Sequence, residues 1–202
     1  MLINMSNNLK QKSKKDFSAN GEQGFSLVEA VIAILILTIG LIGTAAAVTY
    51  ALEFSAFSRN VTKAKLVVVA SIEEIESLRN SRRLNFKQFA NTGSVDNTDA
   101  PNQFLGFAKG FKAVSNTPGN DGVNGTTDDI SSSPGADGVY GTGDDPVDST
   151  RIREGYMRQI EIINLSASLK KVVVRVRYTS INGKLGEIVG VSYLNDEART
   201  TI

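Results

Sequence analysis

An uncharged apolar segment near the N-terminus constrains this chain more than any other feature. No charged residue lies between Ala30 and Leu52, a run of 23 positions. A helix needs roughly 20 apolar residues to span the hydrocarbon core of a bilayer. One carboxylate, Glu29, stands directly before the run, where a charge is costly in lipid and tends to mark function. The segment predicts a single membrane-spanning helix that begins near Phe25.

The residues before the apolar run do not look like a secretory signal peptide. In such a peptide the apolar stretch precedes the cleavage site and is removed. Here residues 1–24 are polar, with four Lys against one Asp and one Glu, and the apolar run follows them. Because basic residues stay on the cytoplasmic side, the C-terminal part is expected to be exported. An uncleaved single-span anchor is the alternative.

The sequence Gly24-Phe25-Ser26-Leu27-Val28-Glu29, joined directly to the apolar run, resembles the start of type IV pilins. The resemblance implies that 1–24 is a prepilin leader, that prepilin peptidase cuts between Gly24 and Phe25, and that Phe25 becomes N-methylated. It also implies that the pilus assembly machinery packs the stem beside other pilin subunits. In such a bundle an unpaired Glu29 is unfavourable, and a neighbouring Phe25 amine neutralises it.

Two further stretches resemble minor pilins of the PilV kind. Residues 36–43 read Ile-Leu-Thr-Ile-Gly-Leu-Ile-Gly, and residues 72–80 end in Glu-Ser-Leu-Arg-Asn. The resemblance implies a minor pilin that lies in the inner membrane before assembly and in a surface filament or the periplasm after it. Pseudopilins of type II secretion share the stem and are the alternative.

Composition restricts the chemistry. The chain has no Cys, His or Trp, so zinc sites built on Cys or His and Ser-His-Asp triads are absent. After the leader, 18 basic and 19 acidic residues give a net charge of −1. We therefore expect no enzyme and no nucleic-acid partner. A tip module for adhesion or DNA uptake is the other alternative, since Arg79, Arg82, Arg83 and Lys87 cluster, as do Lys171, Arg175 and Arg177.

Beyond the apolar run, helical periodicity continues. Apolar residues recur every three or four positions, which is the period of one helix face. The pattern predicts one helix over 25–79, with 25–53 in the membrane or filament core and the remainder inside an exported head, 54–202. The predicted inner face of the second half comprises Phe54, Phe57, Val61, Ala64, Val68, Ile72, Ile75 and Leu78.

An acidic internal repeat lies within 113–150. The pattern Gly-x-Asp-Gly-Val-x-Gly-Thr-x-Asp-Asp occurs at 119–129, the first loop, and again at 135–145, the second loop. This insertion contains seven Asp and no Lys, Arg or Glu, so its carboxylates repel each other and cannot build an apolar core. Calcium, which takes oxygen ligands, would resolve the repulsion, and a flexible loop without an ion is the alternative. The predicted ligands are Asp121, Asp128 and Asp129 in the first loop and Asp137, Asp144 and Asp145 in the second.

The C-terminal part carries the sheet signal. Asn182-Gly183 is a preferred two-residue hairpin turn and pairs Ile181 with Lys184. A preceding run, 156–165, supplies a third strand of a sheet over 156–195. The chain is therefore predicted to be α+β, with a long N-terminal helix on a C-terminal antiparallel meander. On this register the inner face of the hairpin comprises Val172, Val174, Val176, Val189, Val191 and Tyr193, and Arg175 and Arg177 point to the other face.

Overall fold

The structure, a computed structural model, describes residues 25–98, 100, 102–180 and 183–196. Its contacts divide the chain into two units, Met1–Val48 and Thr49–Ile202. The fold is α+β, as predicted, with one long helix followed by an antiparallel sheet. The elements are α1 (Leu27–Asn80), a 3₁₀ turn (Phe86–Gln88), β1 (Lys112–Ser115), a second 3₁₀ turn (Ser149–Arg151), β2 (Ile152–Ser166), β3 (Leu169–Thr179) and β4 (Leu185–Asn195).

The buried face of α1 begins later than its sequence pattern predicts. Phe54 and Phe57 are 64% and 42% exposed, whereas Ala64 is fully buried. The sheet ends beside Asn60, whose Oδ1 lies 3.4 Å from the Tyr156 hydroxyl. Phe54 precedes Asn60 by more than one helical turn, so none of the described strands covers it. Phe54 and Phe57 were therefore wrongly placed on the inner face.

A left-handed turn ends α1. Arg82 has φ 57°, and the Arg83 N–H donates to the Leu78 carbonyl (3.0 Å), the hydrogen bond of a Schellman motif. Glycine usually occupies the left-handed position, and here an arginine does. The turn directs the Arg83 side chain to the first loop, where its guanidinium donates to the Asp121 carbonyl at 2.7 Å.

The sheet has four antiparallel strands in the order β1-β2-β3-β4, one more than predicted. The additional strand, β1, has only four residues, and its pairing with β2 is interrupted by an irregularity between Ala113 and Ser115. Three of its residues lie in the segment 113–150 that the sequence assigned to the acidic insertion. Such a short strand carries no readable alternation.

The β3–β4 hairpin lies one residue away from its predicted register. Val176 pairs with Ile188 rather than with Val189. A shift of one residue moves every side chain of a strand to the opposite face. Val189, Val191 and Tyr193 are consequently about half exposed, at 51%, 46% and 56%, and the prediction that they face the core was wrong.

Loop length explains this shift. The Ser180 N–H donates to the Lys184 carbonyl (2.8 Å), and the Gly183 N–H donates to the Ser180 carbonyl (2.9 Å). Three residues rather than two therefore close the hairpin, with Gly183 in the left-handed conformation (φ 70°) that three-residue loops favour. Ile181 and Asn182, the other residues of the predicted turn, lie outside the described residues.

The core of the head lies between α1 and the inner face of the sheet. Val172, Val174 and Val176 of β3 are fully buried in one cluster with the second half of α1. Gly190 of β4 lets the helix approach closely, because a Cβ there would collide with the Val68 side chain. The acidic insertion leaves this packed head between β1 and β2.

Candidate functional site

The N-terminal site lies in the first unit. Gly24 is outside the described residues, Phe25 is exposed, and α1 begins two residues later at Leu27. Glu29 is exposed in the first turn of the helix, where the positive end of the helix dipole favours a carboxylate. The structure does not test cleavage, methylation or pairing at these residues, so these stay predictions.

The first part of α1 is apolar on every side. Among the described residues, Leu27–Asn80 is one helix that is long and apolar enough to cross a membrane, and none of its most apolar window is buried in protein. Large side chains such as Leu35, Ile36 and Leu37 are all more than half exposed. A helix that is hydrophobic all round belongs in a membrane or in a bundle of other helices.

The first loop folds around the hydroxyl of Thr126. The backbone N–H groups of Asp121 and Gly125 donate to the carboxylates of Asp128 (3.0 Å) and Asp129 (2.7 Å). The Thr126 hydroxyl oxygen lies 2.6 Å from Oδ1 of Asp128 and 3.0 Å from Oδ1 of Asp129. The loop's own backbone therefore stabilises the paired carboxylates at its end.

The second loop repeats these contacts. The Asp137 N–H donates to Asp144 (3.2 Å), and the Gly141 N–H donates to Asp145 (2.7 Å). The Thr142 hydroxyl oxygen lies 2.6 Å from Oδ1 of Asp144 and 3.3 Å from Oδ1 of Asp145. The sequence repeat is thus also a repeat of structure.

Two glycines in each loop explain why the repeat needs this residue type. Gly122 and Gly138 have φ values of 68° and 70°, and Gly125 and Gly141 have φ values of 99° and 86°. These left-handed conformations are strained for any residue with a Cβ atom. The matching values show that both loops bend at equivalent positions.

The first loop is fastened to the head by a buried ion pair. The Arg158 guanidinium on β2 lies 3.1 Å from Oδ2 of Asp129, and the two side chains are only 8% and 4% exposed. Arg158 also donates to the Ser71 hydroxyl of α1 (3.1 Å). Burial lowers the pKa of Arg158, and the nearby Asp129 opposes this shift.

A second contact joins the first loop to α1. The Glu74 carboxylate accepts hydrogen bonds from the backbone N–H of Asn124 (3.0 Å) and from its side-chain amide (2.9 Å). The equivalent residue of the second loop is Tyr140, which has no hydrogen bond to another described residue. Only the first of the two loops is therefore anchored at this position.

Burial changes the proton affinity of the first loop. It raises the pKa of Asp121 to about 6, and the carboxylates of Asp128 and Asp129 add to the rise, whereas the Val123 N–H opposes it. Oδ2 of Asp121 is buried without a hydrogen-bond partner among the described residues. Burial also raises the pKa of Asp129, although Arg158 opposes the rise.

In the second loop Asp144 is exposed and Asp145 is partly exposed, and both have lowered pKa values. A hydrogen bond from the Thr142 hydroxyl holds the pKa of Asp144 below its ordinary value, and the Ser131 hydroxyl does the same for Asp145. One oxygen from each of Asp137, Asp144 and Asp145 lies within 4.8 Å of the others. None of the ion pairs found in the described part of the chain involves these three carboxylates.

The two predicted calcium sets consequently differ. In the second loop Asp137, Asp144 and Asp145 are grouped, as the hypothesis requires, and their all-oxygen, anionic donor set suits a hard cation. In the first loop a protein cation, Arg158, already lies against Asp129. The described residues thus contain one grouped carboxylate triad and one loop with its own counter-charge.

Three of the seven residues in the basic clusters behind the DNA-uptake alternative have partners within the head. Arg175 lies 2.6 Å from Glu161, and Arg177 lies 2.8 Å from Glu187. Arg83 binds a carbonyl of the first loop. For these three arginines, the contacts favour a role in the fold over a role in binding phosphate.

Sequence reasoning missed Arg158 and Glu74. A usable signal existed for Arg158, because it stands between Tyr156 and Ile160 at an inward position of β2, where a cation requires a buried partner. No such signal marked Glu74, since an acidic residue on an amphipathic helix is ordinary.

Comparison with known families agrees with the N-terminal prediction. Residues 19–45 match a model described as the prokaryotic N-terminal methylation motif. The chain therefore carries the signature of type IV pilins and prepilins. The motif supports a type IV pilin-like or pseudopilin protein, a class whose members are structural and assemble with other pilin subunits. Comparison with curated proteins and with solved structures gives no significant match.

Proposed function

We propose that this chain is a minor pilin of a type IV pilus, which waits in the inner membrane and is then assembled into a surface filament. The observation that supports the proposal best is the methylation motif at 19–45, which continues without a break into an apolar helix. A helix with no protein around it needs lipid first and other stems later. The assignment to the broader class of pilin-like or pseudopilin proteins does not depend on whether the chain is a minor pilin.

Processing between Gly24 and Phe25 is the first step of the proposed route. Gly24→Val should leave a full-length precursor in the inner membrane, whereas the matched variant Gly21→Val should be processed normally. Intact mass and N-terminal sequencing of the membrane-extracted protein would measure this. A wild-type N-terminus at any residue other than methylated Phe25 would contradict the proposal.

Glu29 is proposed to set the register of the stem within the filament. A carboxylate in a low-dielectric bundle needs a counter-charge, and the Phe25 amine of a neighbouring subunit supplies it. Glu29→Ala should give a processed, folded protein that enters filaments poorly, whereas Glu53→Ala, on the same helix, should assemble. Immunoblots of sheared filaments compare the two variants, and normal incorporation of Glu29→Ala would refute the register role.

Two alternatives are separated by where the mature protein is found. A type II secretion pseudopilin would be absent from sheared surface filaments, and its deletion would block protein secretion. A DNA-uptake module would retain DNA in a strongly salt-dependent manner, although Arg83, Arg175 and Arg177 already have partners within the head. Mass spectrometry of purified filaments decides between pilus and secretion system.

Calcium binding at the acidic repeat is a second proposal, favoured by the carboxylate triad of the second loop. Three carboxylates leave several positions of a calcium shell for carbonyl oxygens and water. Binding to the folded state alone stabilises a protein by about 2.7 kcal/mol at a hundredfold excess over Kd. The full chain in detergent should therefore melt at a higher temperature in calcium than in chelator.

Matched variants locate the ion. Asp144→Asn with Asp145→Asn should abolish the calcium-dependent shift of Tm, whereas Asp128→Asn with Asp129→Asn should lower Tm and keep the shift. Magnesium is the control ion, because it is smaller and dehydrates reluctantly. Identical melting curves in calcium and chelator would leave a loop that binds no ion.

A further inference from the structure

A polar cleft of about 520 Å³ opens between the acidic repeat and the start of β2. This volume lies within the range of small-molecule sites. The cleft contains none of the six predicted calcium ligands and lies apart from the N-terminal motif. The residues that matter for its chemistry are Asn116, Asn120, Tyr140, Asp148, Thr150 and Arg151.

Several polar groups in this cleft have unused hydrogen-bonding capacity. The Asn120 side chain and the Tyr140 hydroxyl make no hydrogen bond to other described residues. Asn116 accepts one hydrogen bond from Arg153 (3.3 Å) through Oδ1, and its amide nitrogen remains available. An amide offers both donors and an acceptor, and a phenol offers one of each. Together these groups match a ligand that carries several hydroxyls.

The charged residues of the cleft neutralise each other. Arg151 Nε lies 3.1 Å from Oδ2 of Asp148, and Oδ1 of Asp148 accepts from both the backbone N–H and the hydroxyl of Thr150. Arg151 also donates to the Ser131 carbonyl at 3.2 Å. With Arg151 engaged twice, the residues that line the cleft offer no free charge to a phosphate or a carboxylate, and a neutral ligand fits them better; Arg153, which contacts Asn116, lies outside this lining.

Sequence differences between the two loops coincide with this cleft. The loops differ at three positions, and two of the differing residues, Asn120 and Tyr140, line it. Their counterparts are Ala136 and Asn124, so the loop conformation requires neither the amide nor the ring. Asn124 serves as an anchor to α1, a task that Tyr140 does not share. Tyr140 is therefore available for a contact outside the loop fold.

We propose that this cleft binds a neutral carbohydrate. The Tyr140 ring offers an apolar face for a sugar ring together with a polar hydroxyl. The side chains of Asn116 and Asn120 would hydrogen-bond to the sugar hydroxyls. The inference goes beyond filament assembly and does not depend on it, since the cleft belongs to the head alone.

Saturation-transfer NMR on the full chain tests the proposal, in a detergent without sugar groups such as lauryldimethylamine oxide. The probes are methyl glycosides of glucose, galactose and N-acetylglucosamine, which mimic chain ends, and laminarin, which presents internal units. At least one of these neutral probes should receive saturation, and it should do so in chelator as well as in calcium. The anionic methyl glucuronide should bind more weakly than methyl glucoside. Absence of transfer to all four neutral probes overturns the proposal.

Variants that exchange residues between the two loops test the assignment without disturbing the loop fold. Tyr140→Asn and Asn120→Ala each introduce the residue that the other loop already carries, so the loop should stay folded. Each should weaken binding by about tenfold, which corresponds to the loss of one good contact. Tyr193→Asn, on the exposed face of β4, is the control and should bind normally. Equal binding by Tyr140→Asn and wild type, or equal loss with Tyr193→Asn, refutes the assignment.

Discussion

The two acidic loops have the same conformation in different surroundings. Each pairs its terminal carboxylates with its own backbone N–H groups. The first loop is pressed against α1 and β2 and meets Arg158, whereas the second is exposed and meets no cation among the described residues. The comparison shows that the local sequence determines how each loop bends. The residues packed around a loop determine the pKa values and the partners of its carboxylates.

Because of this difference, we expect the first loop to contribute to the stability of the head and the second loop to carry the proposed ion binding. A buried carboxylate that relies on one guanidinium contributes to the fold, and its removal should be costly. An exposed carboxylate group contributes little to the fold, and the second loop is the site of the proposed calcium binding. Substitutions at equivalent positions of the two loops should therefore have unequal effects.

Arg158→Met should have the largest effect, because it leaves the buried Asp129 without its counter-charge. We expect a loss of about 3–5 kcal/mol in the free energy of unfolding, measured by urea denaturation of the full chain in detergent. Arg175→Met, which breaks the partly exposed ion pair with Glu161, should cost about 0–1 kcal/mol. Adding Asp129→Asn to Arg158→Met should recover part of the loss. Equal costs for the two single variants would contradict the stabilising role assigned to the buried ion pair of the first loop.

Glu74→Ala should have the next largest effect, because it leaves two hydrogen-bond donors of Asn124 without an acceptor. The expected loss is about 1–3 kcal/mol in the same denaturation experiment. Glu73→Ala, at an exposed position of the same helix, is the control and should be nearly neutral. If both variants unfold alike, Glu74 does not anchor the first loop.

Glycine substitutions should show a smaller difference. Gly138→Ala should cost about 1 kcal/mol from backbone strain alone, since no atom beyond the neighbouring residues in the chain lies within 4 Å of the added Cβ. Gly122→Ala carries the same strain, and its Cβ would also displace the Arg83 guanidinium. In thermal unfolding, Gly122→Ala should therefore have a lower Tm than Gly138→Ala. The reverse order would contradict the closer packing of the first loop.

The smallest predicted effect is a pH dependence at Asp121. Because its pKa is about 6 in the folded protein against an ordinary 3.8, the folded state binds this proton more tightly, and stability falls as the pH rises from 4 to 6. Asp121→Asn should thus be more stable than wild type by about 1 kcal/mol at pH 7, after discounting for partial exposure. The two proteins should unfold alike below pH 4, with chelator present throughout.

The sequence predicted the elements better than their contacts. The helix, the antiparallel sheet and the repeat each have a period or a pattern that can be read along the chain. The register of β4 could not be read in the same way, because one additional residue in the turn reverses its faces and Asn182-Gly183 fits either loop length. Arg158 meets the first loop through tertiary packing, so its partner Asp129 was not visible in either local pattern.

One feature of the insertion bears on how such a head could change over generations. The strands on either side are joined at their base by the Asn116 N–H and the Arg151 carbonyl (2.8 Å), and the second loop has its own closure, where the Ser132 N–H donates to the Pro146 carbonyl (2.9 Å). Each excursion therefore starts and ends at nearly the same place. Since a doubling of loop length costs only about 0.6 kcal/mol in closure entropy, duplication of the unit would leave the sheet undisturbed. At the base of the insertion, loop units can therefore be gained, lost or changed in sequence without altering the fold of the sheet.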